Sequence, residues 1–253
     1  FMTENRRLIA ALACRNQGTR LYGKPLQNLH VDTGVRIIDN VIQCLKSIKS
    51  IDGIVLAISE GSENDSFVEV AHQYGIDFVI GDEHDVLARL ISAGDYSSAT
   101  DIFRVTSESP FLYFEEVDAC WEKYPTLNLD ALFMEPIIDG CGFEIISLNA
   151  LKTSHMNGSV KHRSEMCSLY IREHTDSFNV QKVEPPKSFQ RYDLRLTVDN
   201  PEDLVVCRHI YHALSQHAPR IPLREIVEFL DRNPDLIRLV APFAETGYKT
   251  MYL

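Results

Sequence analysis

The most constraining feature of the chain is an apolar run, Leu8 to Ala13, that breaks abruptly into a polar loop carrying Arg15, Arg20 and Lys24. Gly18 and Gly23 lie inside that loop, and Pro25 closes it. A short apolar run bounded by turn residues reads as a buried strand. Three cations just beyond it point to an anion held at the strand's end. Backbone N–H groups around Gly18 would cradle phosphate oxygens, while Arg15 and Arg20 supply planar donor forks and Lys24 a point charge. A solvated basic turn is the competing reading of the same spacing. The loop has neither the Walker spacing nor Gly-x-Gly-x-x-Gly, which excludes P-loop NTPases and dinucleotide-dependent dehydrogenases.

Downstream, apolar strand-like runs alternate with helix-period segments, the signature of a mostly parallel sheet with helices on its faces. Spacing predicts helices over 35–49, 67–74 (ended by Gly75), 85–98 and 114–124, and another around 165–172. Further helices are expected from Pro201, with Asn200 as N-cap, and over 223–231, stopping before Pro234. Strands are expected at 53–58, 77–80, 101–105, 129–134, 142–147, 178–183 and 194–198. Residues 242–253 read as a tail. Residues 2–253 are expected to form a single α/β domain, an open Rossmann-like sheet rather than a barrel, since the alternation fails after Tyr124. Phe1, ahead of Met2, is read as extraneous.

Composition narrows the partners. A net charge of −11 argues against general nucleic-acid binding, which needs a cationic surface, but leaves room for an anionic small substrate in a local cationic cleft. The six cysteines form no Cys-x-x-Cys pair and read as reduced, buried thiols. His209 and His212 stand three apart on a predicted helix and read as surface residues rather than ligands. With no signal peptide and no apolar run near eighteen residues, the chain is expected to be cytoplasmic and to bind no membrane.

Two carboxylates stand at strand ends. Glu108 follows the predicted strand 101–105, where open α/β sheets bind ligands, and Asp199 follows 194–198. Asp199 reads equally as a helix cap, and Glu108 as an acidic turn residue. Brought together, they would make a hard-oxygen site suited to magnesium.

Five ordered motifs give the chain a family likeness. Ala13-Cys14-Arg15 followed by Gly18-Thr-Arg-Leu-Tyr-Gly-Lys-Pro-Leu26 resembles the Pro-Ala-Arg-x-x-Ser-x-Arg-Leu-Pro-Gly-Lys-Pro-Leu signature of the CMP-sugar synthetase-like cytidylyltransferases. That family includes the 3-deoxy-manno-octulosonate, acylneuraminate and spore-coat-polysaccharide members. Gly81-Asp-Glu-His-Asp-Val-Leu-Ala-Arg89 is similar to the spore-coat branch. Asp101-Ile-Phe-Arg-Val-Thr106 with Pro110 resembles Asp-Ile-Val-Arg-Val-Thr-Gly-Asp-Cys-Pro. Glu165, Ser168, Tyr170 and Ile171 are similar to Glu-His-Val-Thr-Pro-Tyr-Ile, and Arg195-Leu-Thr-Val-Asp-Asn-Pro-Glu-Asp-Leu204 matches the closing motif. The likeness covers about residues 7–215.

The resemblance implies a nucleotide-diphospho-sugar transferase type of fold and a CTP-dependent transfer without a covalent enzyme intermediate. An acceptor oxygen attacks the α-phosphorus and pyrophosphate leaves. The acceptor would be a sugar acid or a related sugar or phosphorylated compound, for surface-polysaccharide assembly. By the same likeness, Arg15, Arg20 and Lys24 are the catalytic cations, and Glu108 and Asp199 hold Mg2+. Ala11, Ala13, Gly18, Thr19, Asp85, Arg89 and Thr106 join the cations around the nucleotide. Asp139, Glu144, Arg163 and Glu165 face the acceptor, with Lys161 and His162 beside them. A β-containing subregion over 135–190 is expected to carry acceptor and dimer contacts, giving a homodimer.

Three departures stand out. Glu108 replaces the family's aspartate, Ser107 its glycine, and Met166 and Ser168 its His and Thr, which implies an acceptor unlike the familiar octulosonates. Cys14 beside Arg15 is not required as a nucleophile. The competing functions are a guanylyl- or uridylyltransferase acting on a sugar 1-phosphate, a catalytically weakened nucleotide-binding protein, and a glycosyltransferase.

Overall fold

The computed structural model describes residues 6–251; the readings of Phe1 and of residues 252–253 lie outside that range. In chain order the elements are β1 (Leu8–Cys14), β2 (Asn28–His30), β3 (Val35–Arg36), α1 (Ile37–Lys46), β4 (Gly53–Ser59), α2 (Asp65–Tyr74), β5 (Asp77–Gly81), α3 (Val86–Tyr96) and β6 (Asp101–Arg104). There follow α4 (Val117–Lys123), β7 (Ala131–Met134), β8 (Glu144–Ser147), α5 (Leu148–Asn157), α6 (Leu169–Glu173), β9 (Val180–Val183), α7 (Pro201–Leu214), α8 (Leu223–Asp231) and α9 (Pro234–Met251).

The main sheet has the order β5-β4-β1-β6-β8-β7-β9. Only β8 runs against the others, pairing antiparallel with β6 and β7; a small antiparallel ribbon, β2–β3, stands apart. β1 is central and apolar throughout because both of its faces are covered. Leu8, Ala10 and Leu12 point into one core layer with residues of α1, α2, α7 and α8. Ile9 and Ala11 point into the other, with Val86, Leu87 and Leu90 of α3 and Leu151 of α5. From β1 the chain winds outward through β4 and β5, then returns to place β6 on β1's other side. That reversal opens a crevice at the carboxyl ends of β1 and β6.

Most helix expectations hold within a turn, but three local readings are corrected and two helices, α5 and α9, went unforeseen. Residues 194–198 form no strand: only Arg195 bridges, to Asp139. Their alternation instead separates Leu194, Leu196 and Val198, in the hydrophobic core, from the buried polar Arg195 and Thr197, with single backbone bonds to Asp139 O and Glu108 O. α6 occupies only the last part of the helix expected around 165–172. α5 went unforeseen because its polar sequence buries only Leu148, Ala150, Leu151 and Ser154; Ser147 caps it, its Oγ accepting from Ala150 N. Pro234 opens α9 at its first position, where the missing N–H costs nothing. Pro242 lies within the same helix, so the expected tail from 242 is helical as far as Met251.

A row of ion pairs fastens α6 to the sheet. Arg172 stacks over Phe133, 3.9 Å from guanidinium carbon to ring centroid, and donates to Glu135 Oε1 and Glu144 Oε1, both at 2.9 Å. Glu144 also accepts from Ser168 Oγ at 2.6 Å and Arg104 Nη1 at 3.1 Å. Burial works to raise the Glu144 pKa, but Arg104 and Arg172 outweigh it and hold the carboxyl below its ordinary value. Arg172→Ala would leave two buried carboxylates short of a cation, and the expected loss is about 3–5 kcal/mol in urea unfolding. A loss below about 1 kcal/mol would show that the row carries little stability.

Candidate active site

The loop after β1 is folded around Asn16, which is only 4% exposed. Its carbonyl accepts from Gly18 N at 2.9 Å and Gly23 N at 2.8 Å. Its own N–H and side-chain amide reach the turn after β4, to Asn64 Oδ1 at 2.8 Å and Ser66 Oγ at 3.1 Å. A Cβ on Gly18 would lie 2.1 Å from Leu21 O, so only glycine fits this bend. Ser107, replacing the family glycine, donates its Oγ to Ala13 O at 2.9 Å and ties the loop after β6 to β1.

Two connected cavities open over these loops. A narrow slot of about 90 Å3 is lined by Ala11, Ala13, Arg15, Gly18, Lys24 and Arg89, with Thr106 and Glu108 on its far side. A wider cleft of about 580 Å3 adjoins it, lined by Arg20, Asp139, Glu144, Glu165 and Asp199 and sharing Glu108 and Thr106 with the slot. The sequence-expected metal pair therefore meets in one cleft, although the two residues are 91 positions apart.

Asp199 is the most contested group there. Lys24 Nζ lies 2.7 Å and Arg20 Nη2 3.3 Å from its Oδ1, while Arg195 Nη2 lies 2.6 Å from Oδ2. Burial works to raise its pKa, but Lys24, Arg195 and Arg20 together hold it below the ordinary value. Glu108 shifts the other way, raised by burial and by Asp199 and Glu165 against the opposing pull of Lys24. A half-buried carboxylate pair of this kind suits a divalent cation. Among the described residues no cluster of three or more potential ligands exists, so phosphate oxygens and water would complete the shell, as magnesium favours. Glu108 and Asp199 thus fit such an ion.

Arg195, 4% exposed, bonds three carboxylates at once: Asp203 at 2.9 Å, Asp139 at 2.5 Å and Asp199 at 2.6 Å. Arg15 pairs with Glu165 across the mouth of the slot.

Several expected contacts fall elsewhere. Arg89 does line the slot, but from beneath the loop, its Nη1 donating to Cys14 O at 3.2 Å and Ala57 O at 3.1 Å. Asp85 lines neither cavity: it caps α3 through Ala88 N at 2.8 Å and pairs with His155 at 2.8 Å. Thr19 is exposed beside the cavities rather than lining them. Arg163 turns toward Asp85 and His155 O, while Lys161 and His162 both bond Glu173. The basic segment therefore stabilises its own neighbourhood and does not face the cleft. Besides Arg20, the wider cleft's cations are Arg104, Arg172 and Arg195; Arg104 and Arg195 lie inside the family-like motifs, but nothing in their spacing singled them out. Burial pushes the Cys14 thiol up to about 12, so it is no nucleophile. The six thiols are free and buried as expected, and His209 and His212 are exposed. No helix among the described residues is long and apolar enough to cross a membrane.

An open, mostly parallel α/β sheet with a cationic loop and two carboxylates at its switch point has the nucleotidyltransferase type of fold. The family model described as cytidylyltransferase matches residues 9–231, and the chain belongs to that family. It is 29% identical over 246 residues to the uncharacterized protein MJ1063 of Methanocaldococcus jannaschii, spanning 96% of this chain and 98% of that one. It is 26% identical over 233 residues to the spore coat polysaccharide biosynthesis protein SpsF of Bacillus subtilis, spanning 90% and 95%. A solved cytidylyltransferase from Leptospira borgpetersenii serovar Hardjo-bovis shares the fold, with a TM-score of 0.82 at 20% identity over 92% of this chain and 97% of that one.

Burial raises the Asp139 carboxyl from 3.8 to about 6, against the pull of Arg195. A raised acid binds its proton more tightly folded than unfolded, so Asp139's contribution to stability is fully present below pH 4 and is lost as pH rises through about 6. Asp139→Asn is expected to flatten that fall in denaturant unfolding followed from pH 4 to 6.5. An unchanged pH slope would contradict the assignment.

Proposed function

We propose that the chain is a Mg2+-dependent cytidylyltransferase that couples CTP to a sugar acid, or to a related sugar or phosphorylated acceptor, with release of pyrophosphate. The observation that carries this reading is the meeting of the loop cations with Glu108 and Asp199 at the carboxyl ends of β1 and β6. In it, the slot takes the nucleotide and the wider cleft the acceptor, whose oxygen attacks the α-phosphorus.

Arg15, Arg20 and Lys24 bind the triphosphate and neutralise the charge that develops on the departing pyrophosphate. For Arg20 and Lys24 this means exchanging Asp199 for phosphate oxygens, and for Arg15 exchanging Glu165. Glu108 and Asp199 hold the divalent ion, which supplies Lewis-acid polarisation of the phosphate oxygens. Asn16 and Ser107 keep the loop closed against β1, and Arg89 secures the strand ends beneath the base. Arg104, Arg172 and Arg195 orient the acceptor-side carboxylates. Membership of the family of cytidylyltransferases supports cytosine as the base, and the likeness to SpsF supports a role in surface-polysaccharide assembly. A cytoplasmic homodimer contacting through 140–185 completes the proposal.

Pyrophosphate release with CTP, Mg2+ and a panel of sugar acids and sugar phosphates tests this reading. Lys24→Ala and Glu108→Gln are each expected to lower kcat by about 10²–10³ with the circular dichroism spectrum unchanged. Pyrophosphate release with UTP or GTP and not with CTP would reject the base. Variants as active as the wild type would reject the assigned roles.

A further inference from the structure

We infer that α9 is a working wall of the active site, and that Gly247 is a positioning residue that sets Asp199 for the metal through Arg195. This rests on the metal site proposed above. α9 begins at Pro234, beyond residue 231 where the family match ends, yet Pro242, Phe243, Thr246 and Gly247 all line the wider cleft. The helix is seated by Val240 and Ala244, which are buried in the core.

A glycine inside a helix lowers its stability relative to alanine, so its presence at 247 needs a local cause. The cause is contact. A Cβ at this position would lie 2.1 Å from Arg195 Nη1 and 2.7 Å from Asp139 Oδ2. The helix backbone thus rests directly on the Arg195–Asp139 pair. Arg195 has little freedom to yield, because its Nε is held by Asp203 at 2.9 Å and its Nη2 by Asp199 at 2.6 Å. Displacing the guanidinium therefore displaces the Asp199 carboxylate or releases it. Outer partners of this kind fix the orientation of a ligating carboxylate.

The test is Mn2+ binding, followed by the electron paramagnetic resonance signal of free Mn2+ with saturating CTP, in the wild type and in Gly247→Ala. The variant is expected to bind Mn2+ about 10-fold or more weakly, while circular dichroism shows an intact fold. In an Arg195→Lys background, which removes the Nη1 that the new methyl would strike and releases Asp139 Oδ2, the other near atom, from the bond that holds it there, Gly247→Ala is expected to cause no further loss. A purely structural role for Gly247 would give the same loss in both backgrounds, which overturns the inference. Unchanged Mn2+ affinity in a folded Gly247→Ala protein overturns it as well. Failure of the wild type to bind Mn2+ with CTP would instead reject the metal site itself, and the positioning role with it. If Gly247→Ala alone does not fold, the inference predicts that Arg195→Lys restores its folding with the Mn2+ affinity of Arg195→Lys itself; a double variant that still does not fold, or that binds Mn2+ more weakly than Arg195→Lys, overturns it.

Discussion

The Asp199 carboxylate is the joint on which the site depends. Arg195 grips one oxygen, and Lys24 and Arg20 share the other, so the N-terminal loop and the C-terminal third of the chain meet at a single charged group. A carboxylate in this half-buried position is tolerable only with cations around it. Arg195 is itself matched by Asp139 and Asp203, so three cations stand against three aspartates. Under the proposed function, loading the site is an exchange rather than an addition. The divalent ion takes Asp199 and Glu108, while the triphosphate takes Lys24 and Arg20. No charge need be left bare at either stage, which explains how so many ionised groups can be prearranged in one cleft.

Topology provides the frame for that exchange. β1 ends in the loop that carries Arg15, Arg20 and Lys24 and β6 leads into the Glu108 turn, and the two strands are neighbours. Backbone bonds from Val198 to Glu108 O and from Leu196 to Asp139 O bring the closing segment over the same edge. Two rows of charges then divide the work. One, from Asp203 through Arg195 to Asp199, carries Lys24 and Arg20 of the loop after β1. The other, from Glu135 through Arg172 to Glu144 and Arg104, lines the opposite part of the wider cleft and fastens α6 to the sheet. The second row is stiff because each arginine there bonds more than one partner.

What could be read in advance was what lies in short stretches of sequence. The apolar run before Arg15 made β1 legible, and the order of five motifs made the family legible. Glu108 and Asp199 were singled out by their places at strand ends, but their convergence depends on the β1–β6 pairing, a long-range fact. Asp85 and Arg163 were misplaced because charge alone does not tell a cleft residue from a partner in a local ion pair. The 194–198 segment mimicked a strand because its apolar and polar side chains alternate, although all five residues are buried and no ladder forms. The α9 wall was hidden by Pro234 and Pro242, which read as breakers although the first occupies a permitted helix start.

The central claim is that Glu108 and Asp199 together receive a divalent ion while Lys24 turns from Asp199 to the triphosphate. A crystal structure with CTP and Mn2+, using the anomalous signal of manganese, tests it most directly. The account predicts an anomalous peak between the two carboxylates at ordinary coordination distances, with Lys24 Nζ on a phosphate oxygen. A peak bound to neither carboxylate, with Lys24 still on Asp199, would contradict it.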